Sequence, residues 1–213
     1  MKQTEIFKKL NFRDLSKFHN TAVKDKIFRT SSLTFYDKEK FFLELLHQKN
    51  IKTIIDLRAD REVNESYYSQ DTIQKIHYVR SPFDPWNQSI EFKNTYNTGT
   101  NAEIAYHFFM LECKNSIKLV MKTILDSEGA IAIHCHAGKD RTGIIIALLG
   151  LLIGTDRETI LLDYLASEMD SNPSYLEIVF NLVDKFGGIV SYLRSCKLTE
   201  EEIQQLKNLL CKN

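Results

Sequence analysis

Hydrophobic positions along the chain follow two periods. Over 36–48, Phe41, Phe42, Leu45 and Leu46 share one helical face and Asn50 follows as a stop signal, so a helix is expected there. IKTIIDLR, from Ile51, is short, β-branched and ends in charge, which predicts a buried strand, and KIHYVRSPF, from Lys75, reads the same way. Between 102 and 126 the apolar residues return to helical spacing, first at Ile104, Phe108 and Leu111, then at Leu119, Val120 and Ile124. Gly129 breaks the chain before AIAIH at 130–134, a third buried strand, and the apolar run over 143–153 predicts a helix buried on every side.

Polar residues mark further boundaries. Thr155 with Glu158 is a capping box for a helix over TDRETILLDYLASEM, and Thr199 with Glu202 is another, to which Leu198 and Ile203 add a hydrophobic staple. The C-terminal part is expected to be helical throughout. Segment 82–101 holds Pro82, Pro85, Gly99 and many polar residues, so it predicts a long loop of the kind that serves as a lid, covered by the tyrosines of YNTGTNAEIAY, Tyr96 and Tyr106. Phe83 and Trp86 in that loop are candidates to line a pocket for an aromatic substrate. Strands separated by helices predict an α/β fold in one domain over 1–213, with a central, mostly parallel sheet flanked by helices and ligands bound beyond the carboxyl ends of the strands.

Composition narrows the classes. At 213 residues and 43% hydrophobic the chain can bury one sizeable core. Lys plus Arg number 28 and Asp plus Glu number 28, so no overall field attracts nucleic acid or an anionic membrane, and any anion site must be local. Cys113, Cys135, Cys196 and Cys211 form no CxxC pair, which argues against a zinc knuckle or a disulfide framework and for a reducing compartment. MKQTEIFKKLNF lacks the apolar stretch of a secretory signal, and the longest apolar run, 144–153, is about half of the roughly 20 residues a bilayer requires. A cytoplasmic protein is expected, or one exported without an N-terminal signal, with no integral membrane segment.

The densest chemistry lies in HCHAGKDRTG, 134–143, between the third strand and the apolar helix. A loop there wraps over a helix N-terminus, where unpaired N–H groups and the positive end of the dipole make an anion site. Gly138 and Gly143 let successive N–H groups of His136, Ala137, Gly138, Lys139, Asp140, Arg141 and Thr142 converge on one phosphate. Cys135, at the head of the loop, has its thiolate favoured by those N–H groups and by Lys139 and Arg141, and becomes a nucleophile. Arg141 can grip two phosphoryl oxygens with its planar fork, a geometry lysine lacks. Thr142 can hydrogen-bond the thiolate as it leaves.

This Cys-x5-Arg-Thr-Gly loop resembles the signature of the cysteine-dependent protein tyrosine phosphatase superfamily, and HCxAGKDRTG is similar to that of its bacterial tyrosine-phosphatase family. NFRDL at 11–15, FRTSSL at 28–33, IDLRADREV at 55–63, DYLAS at 163–167 and VSYLR at 190–194 agree with it, while Ser16 and Lys17 stand where family members often have glycines. The resemblance implies a protein-tyrosine-phosphatase-like fold and a metal-independent, cofactor-free phosphatase. Its substrates would be phosphorylated proteins, on tyrosine or on serine and threonine, or phosphoinositides.

The general acid has two candidates. Many superfamily members take it from a mobile Trp-Pro-Asp loop, for which SPFDPW offers Asp84, whereas Asp140 lies inside the signature loop and is favoured by its position. Asp56 and Arg58 end the strand TIIDLR; if that strand runs parallel to AIAIH, Asp56 reaches the site and can brace Arg141 or Lys139, or simply pair at the strand end. His134 is expected to hold the cysteine loop by hydrogen bonds; His134, Cys135 and His136 face alternate sides, against a metal site. Lys139 adds charge that would favour substrates with more than one phosphate, or else only tunes Cys135. Two rivals remain, a non-catalytic phosphate-binding pseudophosphatase and a rhodanese-like sulfurtransferase.

Overall fold

Hydrogen bonds join five strands, among the described residues, into one sheet in the order β1-β2-β5-β3-β4. They are β1 (Arg13–Asp14), β2 (Ile27–Thr30), β3 (Ile51–Asp56), β4 (His77–Arg80) and β5 (Ala130–His134). The computed structural model describes residues 3–97, 99–167 and 171–212. Only the short β1 edge is antiparallel; β2, β5, β3 and β4 all run parallel, so their carboxyl ends open on one side. β5 is central, with Thr30 and Asp56 opposite His134 in register.

Strand periodicity feeds two cores. Ile131 and Ile133 of β5 pack into one cluster with Ile27 and Ile55, whereas Ala130 and Ala132 face a second with Phe28 and Ile54. Both faces are therefore covered, as a parallel sheet requires. The second cluster is closed by α1 (Gln3–Lys9) and α2 (Lys40–Gln48), with α3 (Asp60–Glu65) and α4 (Gln70–Ile73) following β3. The larger cluster is closed by α5 (Ile90–Thr95), α6 (Asn101–Leu111), α7 (Lys114–Asp126), α8 (Asp140–Leu152), α9 (Arg157–Leu165), α10 (Pro173–Lys185), α11 (Ile189–Ser195) and α12 (Glu200–Leu210). Ile144 to Leu149 of α8 are at most 1% exposed, which explains why that helix shows no polar face. Among the described residues, no helix is long and apolar enough to cross a membrane.

The α/β architecture and the helical C-terminal part match expectation, and several boundaries differ. The first predicted helix starts at Lys40 after a 3-10 turn over Thr34–Tyr36, and buried Asp37, which ends that turn, accepts a hydrogen bond from the Ser69 N–H (2.8 Å). The expected loop at 82–101 contains α5, whose cap is the Ser89 hydroxyl accepting from the Phe92 N–H. The helix expected over 102–126 is two, broken at Glu112 and Cys113. Thr155 does not cap α9; Asp156, one residue on, accepts from the Thr159 N–H, and the Thr155 hydroxyl meets His19 Nδ1 at 3.1 Å. Glu168 and Met169, at the end of that predicted helix, lie outside the described residues. Thr199 and Glu202 do form their capping box, and Asn50, at φ 50°, does end α2.

Candidate active site

The loop after β5 is held open from behind. The His136 carbonyl accepts from the Ser32 N–H (2.9 Å), and the Ala137 and Gly138 carbonyls accept from Asn11 Nδ2 (3.4 and 2.9 Å). Arg29 Nη2 donates to the Gly138 and Lys139 carbonyls (2.8 and 3.4 Å). In a trans peptide the C=O and the following N–H point in opposite directions, so tying these four carbonyls outward turns the N–H groups of Ala137, Gly138, Lys139 and Asp140 inward. Gly138 sits at φ 68°, and a Cβ there would stand 2.3 Å from the Thr30 carbonyl oxygen, so only glycine fits.

Asn11 and Arg29 are themselves fixed by a buried ionic network. Asp163 of α9 accepts from Arg29 Nη1 (2.7 Å) and Arg13 Nε (2.6 Å), while Arg13 also reaches Asn11 Oδ1 and the Ser167 hydroxyl. Burial pushes the Asp163 carboxyl up, but the charges of Arg29 and Arg13 and their hydrogen bonds hold it far below the usual range. The stretches NFRDL, FRTSSL and DYLAS thus meet at one place, behind the cradle of N–H groups that follows β5.

A second buried network supports the head of the loop. His134 Nδ1 lies 2.9 Å from the Cys135 carbonyl and its Nε2 lies 3.1 Å from the Tyr68 hydroxyl. A carbonyl only accepts, so Nδ1 carries the hydrogen and Nε2 accepts from Tyr68. Burial lowers the His134 pKa against the pull of Asp56, in keeping with that neutral ring. Asp56 accepts from Arg58 Nε and Nη2, the Arg58 N–H and the Tyr78 hydroxyl. Of the two readings of Asp56, the structure has the strand-end pair and not a brace on Arg141 or Lys139: its oxygens are taken up by Arg58 and Tyr78.

The partner of Arg141 is Glu62, to which the sequence reading assigned no role. Arg141 Nη1 and Nη2 donate to Glu62 Oε2 (2.5 Å) and Oε1 (2.8 Å), a bidentate pair in which each side chain is 12% exposed. Glu62 Oε2 also accepts from the Ala59 N–H at the start of α3. Burial pushes the Glu62 carboxyl up, but the Arg141 hydrogen bonds and charge overcome this and hold it low. Burial likewise lowers the Arg141 pKa, and Glu62, Cys135 and Asp140 together raise it above its ordinary value. Glu62 occupies two of the five guanidinium N–H groups and leaves three.

Cys135 is 2% exposed at the floor of the cradle, and His136 is exposed at its rim. The helix begins at Asp140, so Asp140, Arg141 and Thr142 belong to the first turn of α8 rather than to the loop. The Thr142 hydroxyl is buried and has no hydrogen-bond partner among the described residues. Lys139 Nζ lies 3.8 Å from Asp140 Oδ2, while Asp140 Oδ1 accepts from the Tyr106 (2.8 Å) and Tyr164 (3.2 Å) hydroxyls. Tyr106, expected in a lid, is 2% exposed in α6. Lys139, Asp140 and Arg141 line a groove of about 410 Å3 with Trp86, Tyr106, Phe109 and Tyr175.

Asp84 is elsewhere. Ser81 and Phe83 extend the pairing of β4 with β3 through bonds to the Asp56 and Leu57 carbonyls, which drives Phe83 into the core against Phe109. Phe83 is therefore packing, not pocket lining. Asp84 then accepts from the Trp86 N–H (2.9 Å) and faces a hollow beside Glu112 and Cys113, separate from the groove at Asp140. Trp86 is 48% exposed, lies under the Arg61 guanidinium and does line the groove. Burial pushes the Cys113 and Cys196 thiols up, to about 12 and 11, so neither is activated.

A model described as the tyrosine phosphatase family matches residues 5–172. The chain is 27% identical over 191 residues to the triple specificity protein phosphatase PtpB of Mycobacterium tuberculosis, covering 76% of this chain and 68% of that protein. It is 30% identical over 113 residues to a tyrosine-protein phosphatase of Nostoc commune, covering 38% of each. Among solved structures, P. aeruginosa TpbA superposes with a TM-score of 0.52 at 12% identity, over 89% of this chain and 92% of that one, which bears on the fold alone. The matched span runs from α1 through the networks that hold the cradle to the first residues past α9, and on that ground the chain belongs to the tyrosine phosphatase family and is a phosphatase.

Proposed function

We propose that the chain hydrolyses phosphate monoesters through a cysteinyl-phosphate intermediate, with phosphotyrosine as the preferred protein substrate. The observation that carries this reading is the adjacency of the inward-turned N–H cradle over Cys135 to an aromatic-walled groove that Asp140 and Arg141 share. The Cys135 thiolate attacks phosphorus, and the phosphorus bond to the leaving oxygen breaks as Asp140 gives that oxygen a proton. The cradle N–H groups and the three unused N–H groups of Arg141 hold the equatorial oxygens. Water then attacks phosphorus, Asp140 takes its proton, and the sulfur leaves toward the unpartnered Thr142 hydroxyl.

Asp140 is chosen over Asp84 because it lines the groove while Asp84 faces another hollow. A tyrosyl oxygen, with pKa near 10, leaves more easily than an alkoxide, and Trp86 and Tyr175 suit an aryl group. The breadth named for PtpB, together with Lys139 at the groove, supports slower turnover of phosphoserine, phosphothreonine or phosphoinositides. The family match sets the sulfurtransferase alternative aside.

Hydrolysis of p-nitrophenyl phosphate by wild type and Cys135→Ser tests the chemistry; turnover should vanish in the variant, and equal rates would return the chain to a phosphate-binding role. Faster turnover of phosphoserine than of phosphotyrosine peptides would overturn the substrate preference.

A further inference from the structure

Among the described residues, the side-chain hydrogen bonds to the Asp140 carboxyl fall on one oxygen. Tyr106 and Tyr164 both approach Oδ1, at 2.8 and 3.2 Å, and their hydroxyls are 3.0 Å from each other. The three oxygens form a triangle containing two hydrogens, one from each phenol, and burial raises the ionisation of both phenols far above neutrality. The two hydrogens cannot share the edge between the phenols. Oδ1 therefore always accepts at least one hydrogen bond: both phenols donate to it, or one does while accepting from the other. Oδ2 accepts from neither phenol and lies 3.8 Å from Lys139 Nζ, at the groove both residues line.

The phenols cannot swing away. Tyr106 and Tyr164 are 2% and 1% exposed. The Tyr175 ring stands 5.3 Å from that of Tyr106, and the Tyr164 ring lies so close to α8 that a Cβ on Gly143 would approach it to 3.0 Å. Helices α6 and α9 thus each bring one phenol to the first residue of α8, from sequence positions 34 and 24 residues away.

We propose that Tyr106 and Tyr164 are positioning residues for proton transfer: by occupying Oδ1 they fix the plane of the Asp140 carboxyl and make Oδ2 the oxygen that carries the proton. In the first step the proton passes from Oδ2 to the leaving oxygen as the sulfur–phosphorus bond forms and the phosphorus–oxygen bond breaks. In the second, Oδ2 takes a proton from water as the new phosphorus–oxygen bond forms and sulfur departs. The inference rests on Asp140 being the acid. Without the clamp the carboxyl can rotate, and proton transfer loses part of the roughly 10²–10⁴-fold that a positioned acid supplies.

The test uses Tyr106→Phe and Tyr164→Phe, singly and together, which keep both rings and remove only hydroxyls. kcat/KM is measured on phenyl phosphate, a poor leaving group, and on p-nitrophenyl phosphate, a good one, beside Asp140→Asn and the combination of all three changes. The double variant should lose about 10–100-fold on phenyl phosphate and less than about 3-fold on p-nitrophenyl phosphate, since acid assistance matters most for poor leaving groups. In the Asp140→Asn background the tyrosine changes should cost no more than about 2-fold on either substrate, because the group they position is gone. Equal losses on both substrates, or losses that persist in full beside Asp140→Asn, would mean that the phenols only support the fold. Should the double variant unfold, each single variant still carries the comparison. Should Asp140→Asn itself show no leaving-group dependence, the assignment of the acid and the clamp fall together; a steep dependence in Asp140→Asn with none in the tyrosine variants overturns the clamp alone.

Discussion

Replacing Glu62 with glutamine separates the orientation of Arg141 from its charge. Glu62 Oε2 serves both the Ala59 N–H (2.9 Å) and Arg141 Nη1 (2.5 Å), and Oε1 serves Nη2 (2.8 Å). The one oxygen of glutamine can take the place of Oε2, keeping α3 capped, but its amide nitrogen then faces Nη2, donor against donor. One charge-assisted hydrogen bond is lost outright and the other keeps only the charge of its guanidinium donor; bonds to charged groups are worth about 1.5–3 kcal/mol each. With the guanidinium free to turn, kcat/KM on p-nitrophenyl phosphate should fall about 10–100-fold, or ~1.4–2.7 kcal/mol of transition-state stabilisation. Inorganic phosphate, as a competitive inhibitor, should weaken by a similar factor, because the same fork holds the product. Because the Glu62 pKa is lowered on folding, its contribution to stability is complete above the ordinary glutamate pKa near 4.3 and is lost as pH falls through the lower folded value. The stability gap between wild type and Glu62→Gln should therefore be constant from about pH 5.5 upward and shrink in acid. Activity and phosphate inhibition both within about twofold of wild type would refute the view that Glu62 orients Arg141.

Other substitutions probe the cradle from behind. Gly138→Ala places a Cβ against the Thr30 carbonyl at φ 68°, so turnover and phosphate binding should be lost together with a lower Tm; a variant that still binds phosphate normally would contradict the closed cradle. Asp163→Asn leaves buried Arg13 and Arg29 without their counter-charge and should cost about 3–5 kcal/mol in urea unfolding, whereas a loss under about 1 kcal/mol would show that the network is dispensable. The His134 pKa is lowered on folding, so below pH ~6.5 the unfolded chain takes up a proton that the folded chain refuses. Stability should decline as pH drops from about 6.5 toward the folded pKa, and His134→Gln should remove that part of the slope; identical slopes in both proteins would argue against the neutral, Nδ1-protonated ring.

What could be read from the sequence was what lies close together in it. Cys135, Gly138 and Arg141 fall within seven consecutive residues, between a strand and a helix whose apolar patterns are unambiguous, so the cradle and its chemistry follow from local rules. The groups that hold it come from far along the chain: Asn11 and Arg29 behind the loop, Asp163 behind them, Glu62 on Arg141, Tyr106 and Tyr164 on Asp140. NFRDL, FRTSSL and DYLAS carried family resemblance without roles, and in IDLRADREV only Asp56 and Arg58 received one, because a role here depends on which strands are neighbours. Once β5 lies between β2 and β3, residues just past Thr30 and Asp56 must adjoin the loop after His134, and Glu62 becomes the carboxylate within reach. The helix α5 was missed for a different reason: its six residues pack chiefly through Phe92, whose ring lies 5.3 Å from that of Phe108, and one anchor sets no period.

The covalent intermediate is the most direct test of the account. Wild-type enzyme mixed with radiolabelled phosphotyrosine peptide and quenched in acid within the first turnovers should carry the label on Cys135 alone, and Cys135→Ser should neither turn over nor release labelled phosphate. Hydrolysis that continues in Cys135→Ser, or label recovered on any other residue, would contradict a phosphatase built on this thiol.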